Sequence, residues 1–488
     1  MCLYIEINIL YMFNQSTNCP YICTIKRQLL DFDFEKVCSV SLSTLNIYCC
    51  LICGKYYQGR GQSTHAYRHS MEEDHHLFIN LNNEHIYCLP DDYEVHDTTL
   101  NDIKSNLKPT FTVNSIAQLD KTNEPSYSLS GKEFIPGCVG LNNLKHNDYV
   151  NVIIQALSHI KKLRNYFLLY NSNNSGNSGN SSNTDYTVMF VDKLAELFRK
   201  MWNKNNFKEH ISPHELLQVM LLASKKRFTI NKQSDAIVFL SWLLNILNNF
   251  FNNKKPKRLA LLDGNNANDI NNNNIIEKYF MGTLQVETFT LIKDDTDKAL
   301  HKHLTIAHID GIEYFYTKHT TTFFYLSLDL PNTPLFKDSQ EKINIPQISI
   351  LELLSKFSGN KFIEDPIKDQ RRKYKILTYP KYLILVFKRF ENNMFFIEKN
   401  PTIVNFVCER LTFGDMSDTY TYNLIANVIH DGKPNQGSFR VQVLNKASSE
   451  WYEIQDLTVD KIMPQSVTVS ESYIHFYERK KIIKTERD

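Results

Sequence analysis

Cys50 and Cys53 form a CxxC knuckle, fifteen residues separate Cys53 from His69, and five more separate His69 from His75. No other pattern constrains the chain as much. Two thiolates from one tight turn and two imidazoles at this spacing close a tetrahedral structural zinc site. His65 lies one helical turn before His69 in HAYRH, and His76 adjoins His75, so the sequence leaves either open as a substitute ligand. Eight of the ten cysteines precede residue 90, which points to metal in a reducing compartment rather than to a disulfide framework. Cys19, Cys23, Cys38, Cys49 and Cys88 have no second CxxC to anchor another ion, and most of them read as small buried hydrophobes.

With 488 residues the chain is long enough for two or more folded units. Lys and Arg total 55 against 53 for Asp and Glu, a net charge of +2, so only a local contact with RNA is compatible with the charge balance. SKKRF (224–228) and NKKPKR (253–258) are basic enough to meet phosphates, but lysine clusters of this kind are usually solvated faces. Residues 1–18 read as a disordered extension. Their apolar stretch carries Glu6 and is too short to span a bilayer, and no membrane segment is expected elsewhere. Residues 19–110 hold the cysteine- and histidine-rich module, and 111–133 read as a polar linker. A mixed α/β unit follows over 134–480, with polar insertions at 171–185 and 264–274, and 481–488 form a tail. Val150, Ile153, Ile154 and Leu157 predict a helix, while YLILVFKRF and YNLIANVIH predict buried strands.

LICGKYYQGRGQSTHAYRHSMEEDHH resembles the zinc finger of the ubiquitin-specific proteases. In ubiquitin-binding members an arginine of that turn, with nearby aromatics, holds the free carboxylate of ubiquitin. Arg60 with Tyr56 and Tyr57 is the matching patch here. On its residues alone, a Gly-Arg-Gly arginine reads as a solvated surface group, and ubiquitin binding stays open. FIPGCVGLNNLKHNDYVNVIIQAL resembles the family's cysteine box, with Asp148 at the nucleophile position and Asn143 at the oxyanion position. A carboxylate there is a poor nucleophile and a good partner for the first amides of a helix. In the second box Gly437, Ser438 and Phe439 stand where the family has Gly-His-Tyr, and Asp456 takes the third triad position. His430, eight residues before Ser438, reads as structural. Cys138, ten residues before Asp148, is a poor replacement nucleophile. The two CxxC pairs usual in the fingers subdomain are missing between Gly282 and Phe323, so no zinc is expected there.

The resemblance implies an α+β chain: a small UBP-type zinc finger followed by a papain-like ubiquitin-specific-protease fold of thumb, palm and fingers. CPY, DFDFEKVCS, GRG, EKNPTIVNF and HDGKP resemble the branch of the family formed by the inactive, tri-snRNP-associated splicing factors. That branch implies a nuclear, non-catalytic scaffold for pre-mRNA splicing, with spliceosomal tri-snRNP proteins as partners and small nuclear RNA as a further contact. Two alternatives belong to other classes. One is a ubiquitin receptor that does not cleave; the other is an active deubiquitinase, against which Asp148 and Ser438 argue.

Overall fold

The computed structural model describes residues 19–170, 185–253, 274–292, 305–331, 345–365, 369–392, 397–415, 418–434 and 436–480. The expectations for 1–18, 481–488 and nearly all of the two polar insertions lie outside the described residues; only Asp185 and Asn274, at the insertions' ends, lie within them. The chain forms two compact units, Met1–Asn142 with Phe167–Arg227 and Asn143–Tyr166 with Phe228–Asp488. The helices used below are α1 (His65–Glu72), α2 (Asp148–Ser158), α3 (Tyr186–Met201), α4 (His214–Ala223) and α5 (Ala236–Asn253).

In the first unit, β1 (Ile47–Cys50), β2 (Tyr56–Gln58), β3 (Leu77–Asn80), β4 (Ile86–Cys88) and β5 (Tyr93–Glu94) form one antiparallel sheet in the order β2-β1-β3-β4-β5. Its core contains Cys38, Cys49, Leu77, Ile79, Ile86 and Cys88, so most of the surplus cysteines are the small hydrophobes expected of them. Ile103 and Leu107, which share one face of the helix Asn101–Leu107, join that core together with Leu100 just before the helix. Within 111–133, Thr112 and Ser115 form a capping box that starts a second short helix, Val113–Gln118.

The acids of DFDFEK acquire a role in this unit. The Lys200 ammonium, almost fully buried on α3, donates to the Phe32 carbonyl at 2.9 Å and to Asp33 Oδ1 at 3.0 Å. Asp33 Oδ2 accepts from the Ser212 amide at 2.9 Å, and Lys208 donates to Asp31 at 2.6 Å. A buried ammonium needs partners of this kind to offset its desolvation.

In the second unit every residue of α2 is buried, with Val150, Ile153, Ile154 and Leu157 on the spacing that the sequence predicts. Strands β6 (Gly282–Leu291), β7 (Thr305–Ile309), β8 (Ile312–Phe323), β10 (Ile363–Asp365) and β11 (Gln370–Thr378) form a five-stranded sheet in the order β7-β8-β6-β11-β10. The eight-stranded sheet joins β9 (Leu326–Asp329), β12 (Tyr382–Lys388), β18 (Ser472–Arg479), β14 (Asp418–Asp431), β15 (Ser438–Asn445), β16 (Glu450–Gln455) and β17 (Thr458–Ile462) in that order, with β13 (Leu411–Asp415) pairing to β14. The two predicted strands are β12 and part of β14, and both are buried because sheet packing covers them. Helix α2 packs on β15 and α5. Among the described residues no helix is long and apolar enough to cross a membrane.

Candidate functional site

The zinc-ligand pattern converges in space. The ligand atoms of Cys50, Cys53, His69 and His75 all lie within 4.8 Å of one another. Cys53 Sγ is 3.4 Å from His69 Nε2, Cys50 Sγ is 3.6 Å from His75 Nδ1, and the two ring nitrogens are 3.0 Å apart. Zn–S bonds of about 2.3 Å and Zn–N bonds of about 2.0 Å at tetrahedral angles give edges of roughly 3.5 Å for S···N and 3.3 Å for N···N. The residues fit such an ion. The knuckle turns at Gly54, whose φ of +75° favours glycine and whose Cβ would fall 2.2 Å from the Leu29 carbonyl oxygen. Helix α1 delivers His69, and the Tyr57 ring stacks on that imidazole at 4.2 Å. The Cys53 thiol is pulled below its usual range, first by its hydrogen bond with Cys50, then by the Lys55 amide and the two histidines, against burial.

The neighbouring histidines are separated from this cluster by their own contacts. His76 faces the Leu89 carbonyl with Nδ1 and Asp74 Oδ1 with Nε2, both at 2.8 Å, and stacks on Tyr21. Both ring nitrogens thus face oxygens outside the cluster of four. His65 lies at the start of α1, outside the group of four.

Arg60 keeps 37% of its side chain exposed, as its Gly-Arg-Gly setting suggests, and also has partners within the chain. Its guanidinium lies 4.1 Å from the centroid of the Tyr87 ring and donates to Asp92 at 2.9 Å. A carboxylate of the chain itself thus occupies the arginine, while Tyr56 and Tyr57 are buried. Tyr87 and Asp92 could not be recognised as its partners from local sequence, because the pairing depends on how β4 and the following turn fold back.

The degenerate triad positions gather at the N-terminus of α2. Asp148 Oδ2 accepts from the Phe439 backbone amide at 3.0 Å and from Gln233 Nε2 at 2.7 Å, and Gln233 also donates to the Gly437 carbonyl at 3.1 Å. The residue at the nucleophile position therefore ties α2 to β15. Asp148 is 4% exposed, and its Oδ1 has no partner. Asn143 donates from Nδ2 to Asp456 Oδ2 at 3.1 Å and accepts from the Asn147 amide at 3.1 Å, so both ends of its amide are engaged.

Asp456 sits in the turn between β16 and β17 at φ +50°. Its carboxyl is pushed up, first by burial and then by the Asp148 charge, with hydrogen bonds from Asn143 and Asn151 opposing. An orienting carboxylate next to a second carboxylate, with no imidazolium between them, carries a net electrostatic cost. Ser438, by contrast, accepts from Gln455 Nε2 at 3.3 Å and makes no hydrogen bond with either carboxylate. Gly437 is required where it stands, because a Cβ there would lie 2.2 Å from His430 Cε1.

His430 is enclosed rather than poised. It is 1% exposed, and the rings of Phe390 and Phe439 lie 5.0 and 4.8 Å from it, centroid to centroid. Burial first, and the nearby Lys399 second, push its imidazole down to about 4. Cys138, in the first unit, is likewise buried, and burial pushes its thiol up to about 12. Gln233 and the Phe439 amide are the functional partners that sequence reasoning missed, since nothing local marks a glutamine far along the chain.

Residues 139–477 match the family described as ubiquitin carboxyl-terminal hydrolase, and residues 38–100 match the zinc finger found in ubiquitin hydrolases and other proteins. Ubiquitin carboxyl-terminal hydrolase 39 of Mus musculus is 44% identical over 96% of this chain and 81% of its own length. The probable mRNA-splicing protein ubp10 of Schizosaccharomyces pombe is 39% identical over 94% of this chain and 88% of its own. Pre-mRNA-splicing factor SAD1 of Saccharomyces cerevisiae is 27% identical over 96% and 94%. Among solved structures, that of an essential yeast splicing factor superposes with a TM-score of 0.72 at 25% identity, covering 95% of this chain and all of the other.

Proposed function

We propose, starting from the fact that this chain belongs to the ubiquitin carboxyl-terminal hydrolase family, that it serves pre-mRNA splicing in the nucleus as a non-catalytic scaffold of the tri-snRNP. The observation that carries this reading is Asp148, a carboxylate at the nucleophile position held by a backbone amide and by Gln233. An isopeptidase needs a thiolate there, an imidazole to take and return the proton, and free donors for the oxyanion. At the corresponding positions this chain has a hydrogen-bonded carboxylate, the hydroxyl of Ser438, and an Asn143 amide engaged by Asp456. Splicing relatives matched along nearly their whole length supply the biological context.

The zinc, on this reading, is structural. Cys50, Cys53, His69 and His75 fill four tetrahedral positions, which leaves none for a substrate. Partners are spliceosomal proteins, with small nuclear RNA carried along in the same particle. A ubiquitin receptor is the second reading, and the engagement of Arg60 by Asp92 and Tyr87 weighs against it. The two are separated by adding the tagged chain to a splicing extract depleted of its relative. Recovery of the U4, U5 and U6 small nuclear RNAs with the tag supports the scaffold; recovery of ubiquitin without those RNAs supports the receptor.

A further inference from the structure

Two cysteines outside the zinc cluster, Cys19 and Cys88, share one hydrogen-bonded group with Tyr93. Cys88 ends β4, and Tyr93 stands opposite it in the antiparallel pairing with β5, so the two side chains project from the same face of the sheet. The Tyr93 hydroxyl donates to Cys19 Sγ at 3.0 Å. The Cys88 thiol is itself hydrogen-bonded with both Tyr93 and Cys19, which brings the two sulfurs together from distant points of the chain. Cys38 and Cys49 of the same core meet backbone groups instead: Cys38 Sγ accepts from the Ser41 amide at 3.4 Å, and Cys49 Sγ donates to the Gly54 carbonyl at 3.7 Å. Apolar filling accounts for a buried cysteine, but not for a tyrosine hydroxyl turned onto a pair of thiols. The segment that follows Cys19 rests on the sheet by weak contacts. Tyr21 stacks on His76 at 3.9 Å, and the Lys26 amide donates to the Leu51 carbonyl at 3.0 Å.

We propose that Cys19 and Cys88 are a redox pair that closes to a reversible disulfide by exchange with glutathione disulfide, fastening the Pro20–Thr24 segment to β4. Cys19, 6% exposed against 0% for Cys88, is the sulfur that the reagent meets first. Its thiolate attacks one sulfur of glutathione disulfide, the S–S bond breaks, and the departing glutathione takes up the proton that Cys19 lost. Cys88 then attacks Cys19 Sγ and displaces the second glutathione, which leaves with the Cys88 proton. Two protein thiols are oxidised, and one glutathione disulfide is reduced to two glutathiones. Burial pushes the Cys88 thiol up, so this second step is slow and exchange runs over hours. The four zinc ligands lie outside the group, and the disulfide closes a loop that contains all of them. Closing a loop of about 70 residues removes much of the freedom of the unfolded chain.

The test uses the full-length, zinc-loaded chain in a series of glutathione disulfide to glutathione ratios, with Cys19→Ser and Cys88→Ser in parallel. Peptide mapping without reduction should find one cross-link, Cys19 to Cys88, with the zinc content unchanged. The Tm of the wild type should rise by roughly 5–15 °C, dithiothreitol should reverse the rise, and neither serine variant should show it. Cross-linking and its reversal are read on the wild type alone, so a serine variant that fails to fold leaves the test intact. Glutathione that remains on Cys19 with no cross-link at any ratio would overturn the proposal, because Cys88 then does not reach it. Pairing of Cys88 with any other cysteine would do the same. A second bound zinc that shields both thiols until it is chelated would reassign them to metal.

Discussion

Replacing Asp148→Ala should weaken the fold, which is opposite to what removal of a catalytic residue usually does. Active sites tend to be strained for function, and their truncation commonly leaves stability unchanged or raises it. Here the carboxylate accepts two hydrogen bonds, from the Phe439 amide at 3.0 Å and Gln233 at 2.7 Å, in the first turn of a fully buried helix. Bonds to a charged group contribute about 1.5–3 kcal/mol each, and an anion at a helix N-terminus about 0.3–1 kcal/mol. Removing the carboxylate also relieves the desolvation of a side chain with one unpartnered oxygen, which returns several kcal/mol. The favourable contributions total about 3–7 kcal/mol, and setting the relieved desolvation against them leaves a loss of about 1–4 kcal/mol, or roughly 2–10 °C in Tm for a unit of this size. Asp148→Asn, which keeps one oxygen for the Phe439 amide, should fall between wild type and alanine. Scanning calorimetry gives the Tm values, and hydrogen exchange at the Phe439 amide reports the bond itself. An Asp148→Ala variant as stable as wild type, with that amide equally protected, would refute the role assigned to Asp148 as a tie.

Asp456→Asn should stabilise the chain at pH 7, because the folded-state carboxyl pKa is raised by burial and by Asp148. That penalty is present above the folded value and absent below the unfolded value near 3.8, so the gain in Tm should shrink on acidification. His475 is fully buried among Phe387, Phe406 and Tyr477, and burial pushes it down to about 3. Its neutral form contributes stability that is complete above pH 6.5 and lost as the pH falls toward 3, so His475→Phe should flatten the acid limb of a Tm–pH curve. An unchanged slope would count against it. Metal analysis should find about one zinc per chain. Chelation or Cys50→Ala should unfold the sheet β1–β5 and expose the thiols of Cys38, Cys49 and Cys88 to alkylation, whereas unaltered protection would show that the ion does not hold this unit together.

The parts legible in the sequence are those whose physics is local. The ligand spacing of Cys50, Cys53, His69 and His75 is set by one turn and one helix, and the period of Val150, Ile153, Ile154 and Leu157 by one helix. The missing parts depend on segments far apart in the chain. Gln233 donates to Asp148 across 85 residues, the Phe439 amide donates to the same carboxylate across 291, and neither donor has a periodicity to betray it. Likewise Lys200 pairs with Asp33 across 167 residues, so DFDFEK could be recognised as a phrase without its purpose being visible. The surface position of Arg60 is legible from its glycine-rich turn, but its contact with Asp92 is not, because Asp92 lies 32 residues further on, beyond β4. The helix Asn101–Leu107 was hidden by polar residues between Ile103 and Leu107, although their spacing fits a buried stripe.

The central claim is that this chain supports splicing without cleaving ubiquitin. A preparation that restores splicing to a depleted extract should be incubated, at micromolar concentration, with ubiquitin bearing a fluorogenic amide at its C-terminus. Release should be no faster than in buffer, before and after Asp148→Ala. Release above buffer that copurifies with the chain and disappears on thiol alkylation would contradict it.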